Sequence, residues 1–275
     1  MKKLMMYPRP RNLFAGLVVG ALLLTSANFA CADERFFTYS YDADVLPKGA
    51  WEFEQWLTHR RGKAGETFSR WDFREEIEYG LLDNLSTSLY LNFRDTHTDD
   101  GVTSESKFEF KGISSEWKYR LLNPNTDPVG LALYFEPTYN GTEVELEEKL
   151  ILSKNFGEKW QAAFNVSLEQ EWEFEHNETR RESVLEFTGG VSYKLTPHWA
   201  LGLEARNHRV FEGVDYGDKI ASAWFVGPAV HYGSSKWWAT LTMLPQIQGS
   251  PSTNGGRELK EHTKLEARLI VGINF

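Results

Sequence analysis

Residues 263–275, which end the chain, read TKLEARLIVGINF. From Thr263 onward, every second position holds threonine, leucine, alanine, leucine, valine, isoleucine and phenylalanine in turn. The positions between them are mostly charged or polar, with Lys264, Glu266, Arg268 and Asn274. Because successive side chains of a β-strand point to opposite faces, this period of two gives one apolar face and one charged face. The segment is predicted to form a long amphipathic strand.

The same period of two recurs along most of the chain upstream, with almost no helical periodicity. In 159–175, for example, aromatic and aliphatic residues alternate with glutamine, asparagine, serine and glutamate. The alternation slips by one residue at Gly112, which indicates a β-bulge. Twelve strands are predicted, at about 50–60, 68–81, 85–95, 105–121, 129–139, 143–154, 159–175, 181–195, 199–210, 220–232, 236–248 and 261–275.

The connections between these strands alternate in length, and an even number of strands returns both ends of the sheet to one side. Short turns are predicted at 82–84, 196–198 and 233–235. Longer polar connections are predicted at 61–67, 96–104, 211–219 and 249–260.

Composition narrows the class of protein. The chain has 275 residues, of which 41% are hydrophobic and 25% charged, and its mean hydropathy is −0.46. The formal net charge is −9, and residues 33–275 alone carry 26 basic and 39 acidic side chains, a net of −13. This acidic balance argues against the basic surface that nucleic-acid binding requires, so no nucleic-acid partner is expected. The single cysteine, Cys31, excludes a disulfide framework or a cysteine-rich zinc site.

The first 32 residues have the pattern of a signal peptide. Basic residues at positions 2, 3, 9 and 11 precede an uncharged, mostly apolar run at 13–24. Ala30-Cys31-Ala32 matches a cleavage site and places the start of the mature chain at Asp33. The alternative is a lipoprotein signal with Cys31 lipidated, although the usual branched apolar residue is missing before it. No apolar stretch of 18 residues follows, so no transmembrane helix is expected.

Two architectures are compatible with the alternation, a soluble β-sandwich and a membrane β-barrel. Segments of at least ten residues match a tilted strand that crosses a bilayer, whereas sandwich strands are usually shorter. Aromatic residues gather near both ends of the strands, as in the two girdles of a membrane barrel. One group lies near the short turns: Trp51, Tyr79, Trp117, Tyr119, Trp160, Tyr193, Trp199 and Trp237. The other lies near the loops: Trp71, Phe93, Tyr139 and Trp172.

The end of the chain also resembles a known signature. Leu269, Val271, Ile273 and Phe275 are similar to the C-terminal segment that the barrel-assembly machinery reads in outer-membrane barrels of Gram-negative bacteria. More loosely, residues 46–52, 79–85 and 145–160 resemble porin-like and transporter-like outer-membrane families of largely uncharacterised function. The resemblance implies an outer-membrane location, contact with lipid and lipopolysaccharide, and a role in transport.

The fold is therefore predicted to be all-β, a transmembrane antiparallel up-and-down barrel of about twelve strands with both termini in the periplasm. The predicted division is a cleaved signal peptide at 1–32, a periplasmic lead-in at 33–48 and the barrel at 49–275. Residues 33–48 contain Phe36, Phe37, Tyr39 and Tyr41, which left a periplasmic tail or a short plug as alternatives to an ordered lead-in.

If the apolar faces point to lipid, the charged faces line a lumen with two walls. The acidic wall, mainly on strands six to eight, is Glu136, Glu143, Glu145, Glu147, Glu169, Glu171, Glu173, Glu175, Glu182 and Glu186. The basic wall, on strands twelve and one to three, is Arg60, Arg70, Arg74, Arg94, Lys264 and Arg268. It is mixed, because Asp72, Glu266 and other acids also face inward there.

Three functions fit this pattern. The one favoured is a narrow porin-like pore for small solutes, cationic or polar, because burying so many carboxylates is costly unless they are well paired. The second is a closed structural barrel in which arginine and glutamate bridge the lumen. The third is a hydrolase that uses His59, His97, His176, His208 or His262, with Ser69 and Asp95 as nearby candidates, but no catalytic motif surrounds them. A metal site at His176 with Glu173 and Glu175 has no distinctive spacing, so no metal or cofactor is expected.

Overall fold

The computed structural model describes residues 35–175, 178–253 and 255–275, apart from the side chain of Glu175. The predicted signal peptide with Cys31, and the candidate His176, lie outside the described residues. Twelve strands follow one another: β1 (Trp51–Lys63), β2 (Glu66–Leu82), β3 (Leu85–Asp99), β4 (Ser104–Leu122), β5 (Gly130–Tyr139), β6 (Glu143–Phe156), β7 (Trp160–Glu175), β8 (Glu178–Lys194), β9 (Trp199–Glu212), β10 (Asp218–Gly233), β11 (Trp237–Ser250) and β12 (Leu265–Asn274).

Each strand pairs antiparallel with its sequence neighbour, and β12 closes the sheet onto β1 with Glu52 opposite Asn274 and Arg61 opposite Leu265. The predicted twelve-stranded antiparallel barrel is confirmed. The predicted bulge is confirmed as well, since the register between β3 and β4 shifts beside Gly112, whose φ is 110°. The part of the chain that the structure describes contains no helix long and apolar enough to cross a membrane.

The ends of the strands differ from the prediction on one side of the barrel. The predicted connection at 61–67 is wrong, because only Ala64 and Gly65 separate β1 from β2. The predicted loop at 96–104 is also too long, because β3 extends to Asp99 and β4 begins at Ser104. Hairpins continue to hydrogen-bond after their apolar face has ended, so alternation of hydrophobicity underestimates their length. For the last strand the prediction is too long, since β12 begins at Leu265 and not at 261.

We call the end of the barrel that carries the connections β2–β3, β4–β5, β6–β7, β8–β9 and β10–β11 the turn end, and the opposite end the loop end. Aromatic pairs ring the outer face at the turn end, with ring centroids 4.5 Å apart for Trp51 and Tyr79 and 4.8 Å apart for Trp160 and Tyr193. At the loop end, Trp71 and Tyr139 are exposed on the same face. Leu269, Val271 and Ile273 also lie on this outer face, next to the exposed Phe275.

Residues 35–46 lie inside the barrel, as in the alternative of a short plug and not as in the favoured lead-in. Phe37, Tyr39, Tyr41 and Leu46 are all less than a tenth exposed, although the segment forms no strand. Its side chains pack in three separate clusters against the inner faces of the strands. We call residues 35–46 the plug.

Candidate functional site

The plug is anchored by side chains of the barrel wall that accept hydrogen bonds from its backbone. The Glu204 carboxylate on β9 accepts from the N–H groups of Thr38, Tyr39 and Ser40, at 3.2, 2.9 and 2.6 Å. Asn165 on β7 accepts from the N–H of Tyr41 at 2.6 Å and donates to its carbonyl at 2.9 Å. A segment without a strand partner thus has the backbone N–H groups of residues 38–41 paired by side chains of the wall.

Small residues of the wall make room for the plug. The ring of Phe37 lies over Gly190 on β8 and Gly202 on β9, and a Cβ atom added at Gly190 would lie 2.5 Å from it. Phe36 and Phe37 also pack on a group of inward-facing alanines, Ala163, Ala200 and Ala229. Inward-facing glycine and alanine on β7–β10 were therefore the signal in the sequence for an occupied lumen.

Two tyrosines of the plug form the floor of a cavity. The Tyr39 hydroxyl donates to Glu266 at 3.0 Å, and the Arg268 guanidinium lies 3.9 Å above the Tyr39 ring. The ring of Tyr41 is 4.6 Å from the Lys149 ammonium. Arg268 also donates to the Thr38 carbonyl at 3.0 Å, so the plug is joined to both charged walls.

The cavity above this floor has a volume of about 350 Å³ and a strongly charged lining. Eight cationic and eight carboxylate side chains line it, so its formal charge is balanced. The cationic set is Arg60, Arg70, Arg74, Arg94, Lys111, Lys149, Arg206 and Arg268. The acidic set is Asp72, Glu136, Glu143, Glu145, Glu147, Glu169, Glu171 and Glu186. Clefts of this size commonly bind small molecules.

Seven of the ten residues assigned to the acidic wall line the cavity, from Glu136 on β5 to Glu186 on β8. Glu173 and Glu182 are half-buried but are not part of the lining. Glu145 and Glu171 stand directly opposite each other in the ladder between β6 and β7, as do Glu147 and Glu169. Among the described residues, Glu145, Glu169 and Glu171 have no hydrogen-bond or ion-pair partner for their carboxylates.

Five of the six residues assigned to the basic wall line the cavity, and Lys264 is the exception. Lys264 is exposed, because the chain joins β12 only at Leu265 and the Lys264 N–H bonds to the Arg61 and Gly62 carbonyls instead. Arg70 Nε lies 3.3 Å and Arg94 Nε 2.6 Å from the carboxylate of Asp72, which Arg60 also contacts.

Three cations that the sequence analysis did not assign neutralise part of the acidic wall. Lys111 lies 2.8 Å from Glu143, Lys149 lies 2.5 Å from Glu147, and Arg206 lies 2.5 Å from Glu186. Strand parity could have identified Lys149, which is two residues from Glu147 on the same face. Lys111 is harder to assign from the sequence because it adjoins the bulge at Gly112.

The connection between β11 and β12 folds over the loop end, above a second cavity of about 100 Å³. Glu258 accepts from the ring Nδ1 of His262 at 2.7 Å, and the other ring nitrogen of His262 lies 3.0 Å from His208 Nδ1. Burial lowers the pKa of His262, and the Glu258 carboxylate opposes this only in part. Burial would raise the pKa of Glu258, but hydrogen bonds from His262, Lys260 and Glu261 outweigh it and lower the pKa.

Two other candidate histidines, His59 and His97, lie outside the lumen. His59 faces outward, stacks on Trp71 with ring centroids 4.4 Å apart, and has Nε2 3.0 Å from Ser69 Oγ. His97 contacts Ser106 at 3.0 Å in an exposed position. The structure therefore brings His59 and Ser69 together, but in the described part of the chain no acidic group contacts the second ring nitrogen of His59.

Carboxylates are the only groups of the described residues that assemble as metal ligands would. Oxygen atoms of Glu143, Glu145 and Glu171 lie within 4.8 Å of one another, and so do those of Glu52, Glu54 and Glu78. Such oxygen sets suit a hard cation, but an ammonium or guanidinium group satisfies them equally well. The metal site considered at Glu173 includes His176, which lies outside the described residues.

The closed barrel, its outer aromatic rings and its charged lumen define a β-barrel of the type found in outer-membrane channels. The chain aligns with an outer membrane channel from Pseudomonas putida F1 with a TM-score of 0.59 and 15% identity, over 85% of this chain and 98% of that one. It aligns with the NanC porin (TM-score 0.54, 10% identity, 81% and 100% covered) and the KdgM porin (0.52, 10%, 82% and 99%).

The sequence itself places the chain in a family. Residues 29–275 match the model of a family of unknown function (DUF6662), and the chain belongs to this family. No curated protein matches the chain.

Proposed function

We propose that the protein is an outer-membrane channel of the porin type that passes small polar solutes through its lumen. The observation that carries the proposal is the cavity of about 350 Å³ inside a closed barrel, lined by charged side chains. Taking an ion out of water costs several kcal/mol unless it is well paired. Glu145, Glu169 and Glu171 have no such pairing among the described residues, so water or a polar solute in this part of the lumen would offset the cost of their charge.

Passage through the barrel requires the plug to move. Residues 35–46 occupy the lumen between the cavity and the turn end, with Tyr39 and Tyr41 as the floor. In the proposed orientation the turn end and both termini are periplasmic, after export with a cleaved signal peptide at 1–32. The plug then closes the channel from the periplasmic side, and the Phe275 segment is available to the barrel-assembly machinery, with lipid and lipopolysaccharide around the outer face.

The acidic wall supports a local preference for cations, because a cleft lined by charges of one sign concentrates counter-ions. The preference is limited by Lys111, Lys149 and Arg206, which were absent from the sequence-based expectation. We propose that cationic and polar solutes enter, and that the three unpaired carboxylates are the source of any cation selectivity.

The closed structural barrel is the second candidate, and two contacts support it. Arg74 on β2 reaches Glu136 on β5 at 2.5 Å, and Arg206 on β9 reaches Glu266 on β12 at 2.7 Å. Both pairs join strands that are not neighbours in the barrel. In that case the charges would stabilise the barrel without conduction.

A hydrolase is the third candidate and rests on the 3.0 Å contact between His59 Nε2 and Ser69 Oγ. A serine nucleophile needs a base within hydrogen-bond reach, and this pair satisfies that requirement. The pair lacks an orienting acid among the described residues. Ester hydrolysis by the purified protein, lost in both Ser69→Ala and His59→Ala, would make this function the leading one.

Planar-bilayer recording of refolded protein tests the proposal. We expect small, rare openings from the full mature chain and a larger, steady conductance from a variant that lacks residues 35–46. Asymmetric salt should show a cation preference that falls in a Glu145→Gln, Glu169→Gln, Glu171→Gln variant. Glu182→Gln, which removes a carboxylate outside the lining, is the matched control. Absence of conductance from the variant without the plug, once it is shown to be folded, would favour the closed barrel.

A further inference from the structure

The charges around the cavity are balanced in number but separated in space. Arg60, Arg70 and Arg94 on β1–β3 all contact the single carboxylate of Asp72. This side of the cavity therefore carries an excess of guanidinium groups. Arg60 shares its charge with Glu266, at 3.5 Å, whereas Arg70 and Arg94 contact no acid other than Asp72 among the described residues.

The opposite excess lies on β6 and β7, a quarter of the barrel circumference or more from β1–β3. Glu145, Glu169 and Glu171 have no cationic partner within contact distance in the described part of the chain. Glu145 also faces Glu171 directly across the ladder, an arrangement of like charges that destabilises a sheet. A cation placed between these carboxylates would remove the repulsion.

We propose that the cavity binds a zwitterionic solute whose two charged groups are separated, such as an amino acid or short peptide with a basic group. Its carboxylate would lie against Arg70 and Arg94, and its ammonium or guanidinium group against Glu145, Glu169 and Glu171. Guanidinium and carboxylate groups form charge-assisted and often bidentate hydrogen bonds, so both ends of the solute match their subsite. This proposal rests on the channel function and names its class of solute.

The volume and the charged sides of the cavity agree with this class of solute. A space of about 350 Å³ accommodates an amino acid or a dipeptide but not a folded polymer. A purely cationic solute would satisfy the glutamates and be repelled by the guanidinium groups. A purely anionic solute would pair with the guanidinium groups and be repelled by the glutamates. Only a molecule that carries both charges offsets both excesses at once.

Calorimetric titration of the detergent-solubilised full chain tests the inference with three probes of similar length. They are 4-guanidinobutyrate, which carries both charges, agmatine, which carries only positive charges, and glutarate, which carries only negative charges. We expect saturable binding of 4-guanidinobutyrate that is roughly tenfold or more tighter than that of either other probe. Equal binding of agmatine or glutarate, or no saturable binding of any probe, would overturn the inference.

Variants assign the two ends of the solute. Arg94→Gln should weaken 4-guanidinobutyrate and leave agmatine unchanged or tighter, whereas Glu171→Gln should weaken both. Lys107→Gln, at an exposed position on β4, is the control and should change neither. The comparison of probes on the wild-type chain stands even where a variant fails to fold. Binding without conductance would contradict the channel function alone, and conductance without selective binding would contradict this inference alone.

Discussion

Replacement of Glu204 by alanine should release the plug, because one carboxylate holds three consecutive backbone N–H groups. A hydrogen bond to a charged group contributes roughly 1.5–3 kcal/mol. The three bonds share two oxygen atoms and are not additive, so we expect a loss of about 4 kcal/mol in the free energy of docking. That loss is roughly a thousandfold change in the docking equilibrium.

The docking equilibrium can be read from the chemical accessibility of Ser40, which is 2% exposed in the closed lumen. In a Ser40→Cys background, the rate of labelling by a charged thiol reagent should follow the undocked fraction of the plug. We expect Glu204→Ala to raise this rate by up to three orders of magnitude and to raise the open probability in planar bilayers.

Glu212→Ala is the matched control, since Glu212 lies on the same strand as Glu204 but is exposed at the loop end. It should leave both measurements unchanged. If Ser40→Cys is labelled no faster with Glu204→Ala than with Glu212→Ala while the barrel remains folded, then the hydrogen bonds to Glu204 do not hold the plug.

Three further predictions follow from the plug, the loop-end cover and the last strand. Gly190→Ala should also release the plug, because its new methyl group would overlap the Phe37 ring, and faster labelling of Ser40→Cys checks this. Docking of the connection between β11 and β12 should weaken as the pH falls below about 6.5, because the lowered pKa of His262 makes proton uptake favour the undocked form. It should weaken further below about 4.5, because the pKa of Glu258 is also lowered by docking. The rate of proteolysis of this connection, measured across this pH range, checks both steps. Deletion of Phe275 should reduce the amount of folded barrel in the membrane, measured by fractionation, and normal insertion would contradict the assembly signal.

Strand number and facing were predictable from the sequence because the two faces of each strand meet different environments. Lipid requires apolar side chains and the lumen tolerates charge, so parity alone assigns Glu145 and Arg94 to the lumen. Parity does not give the height of a side chain along the barrel axis. Glu173 and Glu182 therefore share the inward assignment of Glu171 but lie outside the cavity lining.

The plug could not be predicted by the same logic, because its backbone is bound by side chains rather than by a neighbouring strand. Phe37, Tyr39 and Tyr41 alternate with polar residues as they would in a strand, so periodicity does not distinguish the plug from a further strand. The information lies instead in the wall, where Gly190 and Gly202 leave a space that only another part of the chain fills. A lumen lined by small residues at one end is thus a signal for an internal segment.

The plug and the proposed solute site share residues, so binding of the solute and release of the plug should be coupled. Tyr39 forms part of the cavity floor and donates to Glu266, which also pairs with Arg60 and Arg206. A solute carboxylate against Arg70 and Arg94 would lie beside Arg60, which shares Asp72 with them. It would compete with Glu266 for the Arg60 guanidinium and alter the anchor of Tyr39. Coupling between two sites is reciprocal, so a solute that favours the undocked plug must bind more tightly once the plug is released. We expect 4-guanidinobutyrate to accelerate labelling of Ser40→Cys, and to bind more tightly to Glu204→Ala, whereas agmatine should do neither. An unchanged labelling rate at saturating 4-guanidinobutyrate would show that the solute site and the plug act independently.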